Sequence, residues 1–273
     1  MRLGMNGGLK AAGPEDWAQK MADLGVRAVA FPVTFEADLK TIDAYAEAIR
    51  ARDIVIAEVG AWCNPLCPDK AIAEAAEHRC IEQLKLADYL GANCACNITG
   101  ADGPIWDGWY PGNYSPAFYD KIVTTTQRII EKAAPKNTAW SLEPMPNMIP
   151  AGPDEYLKLM EDVGSEHLKA HLDIINWMNS FDRFLHQREF MDDVFAKMHG
   201  KIVSCHFKDI ILKQELTFQI VEAPVGEGMF DIDYYVKKVN EEDPNLPLMI
   251  EHQPNDEAFI RSMKYVAERY RNI

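Results

Sequence analysis

Four polar side chains close four apolar runs in the second half of the chain. They are Glu143 in AWSLE (139–143), Asp173 in KAHLD (169–173), His206 in KIVSCHF (201–207) and Glu251 in PLMIEH (247–252). A carboxylate at the end of a buried strand is costly unless something pairs with it. Strand alternation sets each one opposite its apolar neighbours. Trp140 and Leu142 share one face, with Ser141 and Glu143 on the other. Ala170 and Leu172 oppose His171 and Asp173, and Leu248 and Ile250 oppose Met249 and Glu251. Val203 and Cys205 are expected to oppose Ser204 and His206. Three carboxylates and one imidazole brought to one point repel each other, which raises carboxyl pKa values. A divalent cation removes that repulsion. Carboxylate oxygens with one imidazole suit Mn2+, the first expectation, and also Mg2+, Co2+ or Zn2+. One such acid alone is more often a helix cap or an ion-pair partner; four from consecutive strands on one face point to a shared metal.

The elements that must position these residues repeat along the chain. Four further short apolar runs precede them: RLGMN (2–6), AVAFPV (28–33), IVIAEVG (54–60) and NCACNIT (93–99). Between the runs lie segments with helical spacing, such as PEDWAQKMADLG (14–25), which starts with Pro and two acids and stops at Gly. Eight alternations of strand and helix predict a parallel sheet with helices outside, closed as a (β/α)8 TIM barrel. An open doubly wound sheet would want a glycine-rich phosphate turn after an early strand, and GMNGG (4–8) is a poor one. No repeat or linker divides the 273 residues, so residues 1–273 are expected to form one domain. In a barrel the carboxyl ends of the strands carry the active site, where the four polar residues fall.

The net charge of −14 disfavours nucleic acid and anionic membrane, and no basic stripe offsets it. No apolar run is long enough to span a bilayer. The start, MRLGMNGG, lacks the pattern of a secretory leader, so a cytoplasmic protein with reduced thiols is expected. Its six cysteines show no zinc-ribbon spacing, and Cys94 and Cys96 are expected in a strand as small apolar residues.

The set SLEPM, HLDIIN, CHFKD and IEH, with PVGEG (224–228) before the last helical pair, resembles the sugar phosphate isomerase/epimerase family. These are xylose isomerase-like TIM barrels of the AP endonuclease family 2 superfamily. The group also holds ketose 3-epimerases, inosose dehydratases and endonuclease IV. The resemblance spans essentially the whole chain and is more specific for fold and metal than for substrate. It implies Glu143, Asp173, His206 and Glu251 as ligands of one divalent metal ion, with Glu143 and Glu251 also exchanging protons with the substrate. One departure stands out. Asn176 takes the place of a histidine three residues after Asp173, which argues against the multi-zinc site of endonuclease IV and weakens the likeness to a simple ketose 3-epimerase.

A metal held by a sugar carbonyl oxygen and an adjacent hydroxyl acidifies the C–H between them. A carboxylate can then remove that proton to give an enediolate. Return of the proton decides between epimerisation and isomerisation, and loss of a β-substituent gives dehydration or glycoside elimination. The expectation is therefore a metal-dependent sugar isomerase or epimerase acting on a small carbohydrate. The rivals are a keto-sugar dehydratase or keto-glycoside lyase, and a sugar-binding barrel without turnover. Lys208, inward by parity, Asn176, Trp62, Trp109 and His171 are the substrate-binding candidates, with His171 one layer below Asp173 and suited to a supporting role. Trp62, Trp106, Trp109 and Trp177 are expected to wall a pocket, and the loop from Gly100 to Pro116 to act as a lid. His252 is expected to face the helices. Glu227 within PVGEG disfavours a phosphate there, so an unphosphorylated sugar is expected. Exposed aromatic loops make a homo-oligomer a further expectation.

Overall fold

The apolar runs pair in parallel and close on themselves. The computed structural model describes residues 1–270. Eight strands form the barrel: β1 (Arg2–Met5), β2 (Ala28–Ala30), β3 (Val55–Gly60), β4 (Cys94–Asn97), β5 (Ala139–Leu142), β6 (Leu168–Leu172), β7 (Ile202–Phe207) and, after a hairpin, β10 (Pro247–Ile250). Their order is β1-β10-β7-β6-β5-β4-β3-β2, so each strand neighbours the next and the last closes on the first. The fold is the single (β/α)8 TIM barrel that the alternation predicts.

The helices are α1 (Pro14–Asp23), α2 (Leu39–Arg50), α3 (Lys70–Leu90), α4 (Pro116–Ala133), α5 (Pro153–Val163), α6 (Phe181–Leu185), α7 (Gln187–Met198), α8 (Ile232–Glu242) and α9 (Asp256–Arg269). Their ends follow from side-chain chemistry. Asp69 caps α3 by accepting from the N–H groups of Ala71 and Ile72, and Gly91 ends it at φ 63°. The main apolar core fills the space between strands and helices and includes Trp140, Leu142, Leu172, Cys205 and Ile250. These are the outward faces that alternation predicts.

Two irregularities re-aim inward residues. In β3 the pairing with β2 shifts between Ile56 and Glu58, leaving Ala57 over. In β7 the pairing with β6 shifts between Ile202 and Ser204, leaving Val203 over. A bulge of this kind turns a strand's parity. Val203 accordingly packs inside the barrel with Cys94, Cys96 and Ala139, which corrects its expected outward face. No membrane-length apolar helix occurs among the described residues.

A hairpin of β8 (Asp209–Leu212) and β9 (Ile220–Ala223), unforeseen in the sequence, follows β7 directly. Asp209 anchors it. This buried carboxylate accepts from the backbone N–H groups of Ile210 (2.8 Å), Gly226 (3.1 Å), Gly228 (2.9 Å) and Phe230 (3.0 Å). A Cβ on Gly228 would come within 2.2 Å of Asp209 Oδ1, so only glycine permits that approach.

The loop expected as a lid is tied to itself. Asn113 is buried, accepts from Asp102 N–H (2.8 Å) and donates to Gly108 O (3.1 Å), while Asn64 donates to Ala101 O (2.8 Å). Trp177 does not wall a pocket. It is fully buried against Tyr156 and donates to Pro150 O at 2.9 Å.

Asp209→Ala would strand several backbone donors at once. We expect it to lower unfolding free energy by about 3 kcal/mol or more, measured by urea denaturation. A change under about 0.5 kcal/mol would mean the hairpin does not depend on this carboxylate.

Candidate metal centre

The strand ends deliver their polar residues to one place. Glu143 extends β5 by one residue, its N–H bonding to Asn97 O at 2.8 Å, before Pro144 ends the ladder. Glu251 extends β10 in the same way, its N–H bonding to Phe207 O at 3.2 Å. Asp173 follows β6 and uses one oxygen to accept from Ile175 N (3.0 Å) and Asn176 N (3.1 Å), which leaves Oδ2 for the interior. His206 lies within β7, and Tyr235 fixes its carbonyl with a 3.0 Å hydrogen bond. One donor atom each from Glu143, Asp173, His206 and Glu251 lies within 4.8 Å of the others, and all four residues are buried.

His206 Nδ1 stands 3.1 Å from Glu143 Oε1 and 2.8 Å from Glu251 Oε2. Ligands about 2.1 Å from a six-coordinate ion sit about 3.0 Å apart along an octahedral edge. The donors and their spacing therefore fit a divalent cation of the Mg2+ or Mn2+ kind.

Lys208 enters the same cluster from the strand edge, almost wholly buried. Its Nζ lies 2.7 Å from Asp173 Oδ2, 2.8 Å from Glu251 Oε1 and 3.1 Å from Glu222 Oε1. Burial opposes the charge on Lys208, but Asp173 and Glu251 outweigh it and hold the ammonium protonated. The carboxylates sharing this lysine differ. Burial and the neighbouring anions push Asp173 up to about 7 despite Lys208. Burial works against Glu251 too, but His206 and Lys208 outweigh it and hold it well below the usual carboxylate range. Burial disfavours protonation of His206, yet Glu251, Glu143 and Glu58 together hold it well above an ordinary histidine.

Asn176 donates to Glu143 Oε1 (3.3 Å) and Pro144 O (3.0 Å), so its amide orients the Glu143 carboxylate. His171 does not reach the mouth, which corrects its place among the substrate contacts. It is fully buried, its ring packs edge-on to His206 at 4.1 Å, and burial depresses its pKa to about 4. Trp62 is half-buried at φ 44° and lies over Gly60, where a Cβ would meet its indole nitrogen at 2.0 Å. It packs near Cys96, within the barrel mouth. Trp109 is 59% exposed on the loop before α4. His252 does not face the helices. A φ of 50° swings it over the mouth, where Nδ1 meets Glu222 at 2.9 Å and Nε2 stands 3.5 Å from Glu251.

Two acids of this region escaped the sequence reading. Glu222 lies on the hairpin, flanked by apolar residues. Glu58 is the lone acid of IVIAEVG and is fully buried, and the bulge, invisible to simple alternation, turns it inward. Its Oε2 is 3.3 Å from His206 Nε2 and 3.4 Å from His171 Nδ1. Burial raises its pKa, but His206 and His171 reverse this and leave it lowered.

With chelator present, these shifts fix how stability varies with pH. Asp173, raised to about 7, costs the fold stability above the ordinary Asp range near pH 4, and the cost grows to about pH 7. His206, raised, contributes fully below about pH 6.5 and loses that contribution as pH climbs through its folded pKa. Glu251, lowered, is already at full contribution above about pH 4.3. His171, lowered to about 4, gains stability with pH up to about 6.5 and offsets the Asp173 loss there, so metal-free protein should become less stable between about pH 6.5 and pH 8 in urea titrations. A profile that rises over this range would refute the charge assignment.

The match to known proteins agrees with this architecture. A family model described as xylose isomerase-like TIM barrel matches residues 18–269. No curated protein matches the chain. Among solved structures, the "probable 3-DHS dehydratase AsbF" of Bacillus anthracis superposes with TM-score 0.75 at 17% identity, covering 100% of both chains. D-psicose 3-epimerase of Clostridium cellulolyticum H10, solved with D-tagatose, gives 0.73 at 13%, covering 99% of this chain and 98% of its own. A xylose isomerase-like TIM barrel protein of Mycobacterium smegmatis, solved with magnesium, gives 0.68 at 14%, covering 98% and 95%.

Proposed function

The chain belongs to the xylose isomerase-like TIM-barrel family, and from that premise we propose that it is a divalent-metal-dependent isomerase or epimerase of an unphosphorylated sugar. The observation that carries the reading is the convergence of Glu143, Asp173, His206 and Glu251 on one buried point at the strand ends. A cation held there, Mn2+ by first expectation, would act as a Lewis acid on a substrate carbonyl oxygen and acidify the adjacent C–H. The chain's own residues do the rest. Glu143 and Glu251 approach the centre from different strands, three places apart in the barrel order, and give one carboxylate to take a proton and another to return it. Asn176 fixes the Glu143 carboxylate, and Lys208 brings a buried positive charge beside Glu251 that favours a developing oxyanion.

The anchoring of the hairpin supports a substrate without phosphate. Barrels of this class bind phosphate through backbone N–H groups after the seventh and eighth strands. Here the N–H groups of Gly226, Gly228 and Phe230 are already taken by Asp209. No phosphate could displace an internal carboxylate without breaking the hairpin.

A second reading has its own observation. A cleft of about 530 Å³ opens beside the centre between the loop after β6 and the hairpin. Asn176, Lys208 and Glu222 form its polar end, and Met178, Ile210 and Phe218 its apolar walls. That space exceeds a single hexose and would suit a keto-glycoside whose second group is eliminated. The family match and the superposed epimerase and dehydratase make a barrel without turnover the weakest reading. The carbohydrate would be its small-molecule partner; a cytoplasmic setting and a homo-oligomer remain proposals on the sequence grounds already given.

Purified protein loaded with Mn2+ and offered a panel of ketoses and keto-glycosides in deuterium oxide tests these readings. We expect deuterium at carbon next to the carbonyl, with loss of more than about 100-fold in rate for Glu251→Gln. An isomeric product supports the first reading, and a released alcohol or water-loss product the second. Tight sugar binding with no deuterium incorporation would leave the barrel without turnover as the answer.

A further inference from the structure

Beneath the four ligand atoms lies a second set of polar groups that the reaction does not use. Glu58 is fully buried, and neither of its oxygens has a hydrogen-bond partner. Both nitrogens of His171 and the Nε2 of His206 are equally buried and unpartnered. These atoms face one another. An ionised carboxylate without solvent or donors is among the costliest groups to bury, so a chain that places one here needs a compensating interaction.

His206 supplies the geometry for it. Its ring stands between two groups of acids, with Nδ1 toward Glu143 and Glu251 and Nε2 toward Glu58 at 3.3 Å. An imidazole can offer a lone pair to a cation at Nδ1 only if its proton sits on Nε2, and the partner of that second nitrogen sets which tautomer forms. Among the described residues Glu58 is the acid within reach of Nε2. His171 closes the other side, its ring edge-on to His206 at 82°, and so blocks rotation of the imidazole. The β3 bulge is what brings Glu58 to this position.

We propose that Glu58 is the positioning residue for His206: it accepts the Nε2 proton, orients the ring and leaves Nδ1 free to bind the divalent ion. This rests on the metal-binding part of the proposed function. The Glu58–His206 contact is formed by protein atoms alone, so the two can fail separately. The same three residues, Glu58, His171 and His206, also have the spacing of a second cation site. The positioning role is favoured because His206 would have to bridge two ions to serve both.

Three measurements on intact protein decide it. The first is the dissociation constant for Mg2+ and Zn2+ by chelator competition, in wild type and Glu58→Gln. A 10–100-fold weakening in the variant is expected. The second is nitrogen-15 NMR of histidine-labelled protein. Magnesium-loaded wild type should show His206 protonated at Nε2 and bare at Nδ1. In metal-free wild type the Nε2 proton should be visible and slow to exchange, and it should be lost in Glu58→Gln. The third is metal content per chain, expected to be one ion. Unchanged affinity with an unchanged His206 spectrum in Glu58→Gln would overturn the proposal. Two ions per chain, one of them lost in Glu58→Gln, would overturn it too and make Glu58 a ligand. Wild type that binds no ion would sink the metal reading, while the metal-free spectrum would still decide whether Glu58 holds His206. If Glu58→Gln does not fold by circular dichroism, Glu58→Asp takes its place, keeping the charge but shortening the reach, with a smaller loss of affinity expected.

Discussion

Charge balance inside the barrel is the constraint on which the rest of the structure depends. Glu58, Glu143, Asp173 and Glu251 are buried together, and Lys208 and His206 are the cations that face them. Burying unpaired carboxylates is expensive enough that a fold avoids it unless something compensates. The metal-free protein responds by protonating His206, holding Lys208 charged and letting Asp173 rise to about 7. Each of these is a partial remedy. A divalent ion would complete it, since metal binding competes with protons for such groups.

The barrel makes this concentration of charge affordable by supporting it from outside. Glu143, Asp173 and Glu251 each follow a strand whose other face is locked in the apolar core, and Glu58 lies within one, so their directions are set before any polar contact forms. Tyr156 shows the method: its hydroxyl donates to Leu142 O at 2.7 Å and so fixes the end of β5 one residue before Glu143. Tyr235 does the same for His206. Asp209 performs the equivalent task for the hairpin, which carries Glu222 over the mouth to Lys208 and His252. Rigid strand ends, with polar residues held by hydrogen bonds from the layer behind, are what a site of fixed geometry requires.

The sequence made the fold and the four converging side chains legible for the same reason. Apolar alternation with a charge at the end is a pattern that only the inward face of a strand explains, and it recurs in β5, β6, β7 and β10. What stayed hidden followed from features that alternation does not encode. The bulge in β3 reversed the side on which Glu58 falls, and the bulge in β7 did the same to Val203. His252 left its expected face because its backbone turned to φ 50°. The hairpin lies between β7 and α8, where the sequence reading placed no element, and its antiparallel pairing depends on Asp209 gathering donors from residues up to 21 positions away. Trp177 and Trp109 look alike in the sequence, yet packing buries one and leaves the other in solvent.

Environment also separates the two glutamates that chemistry would use as a pair. Glu251 is bracketed by His206 and Lys208 and is held as a carboxylate. Glu143 meets the same His206 nitrogen, but its other partner is the neutral amide of Asn176. A pair of carboxylates in unlike surroundings does not share a proton equally. The one beside two cations is the more firmly held carboxylate. Asn176, a neutral amide beside Glu143, thus leaves the two sides of the centre electrostatically unequal.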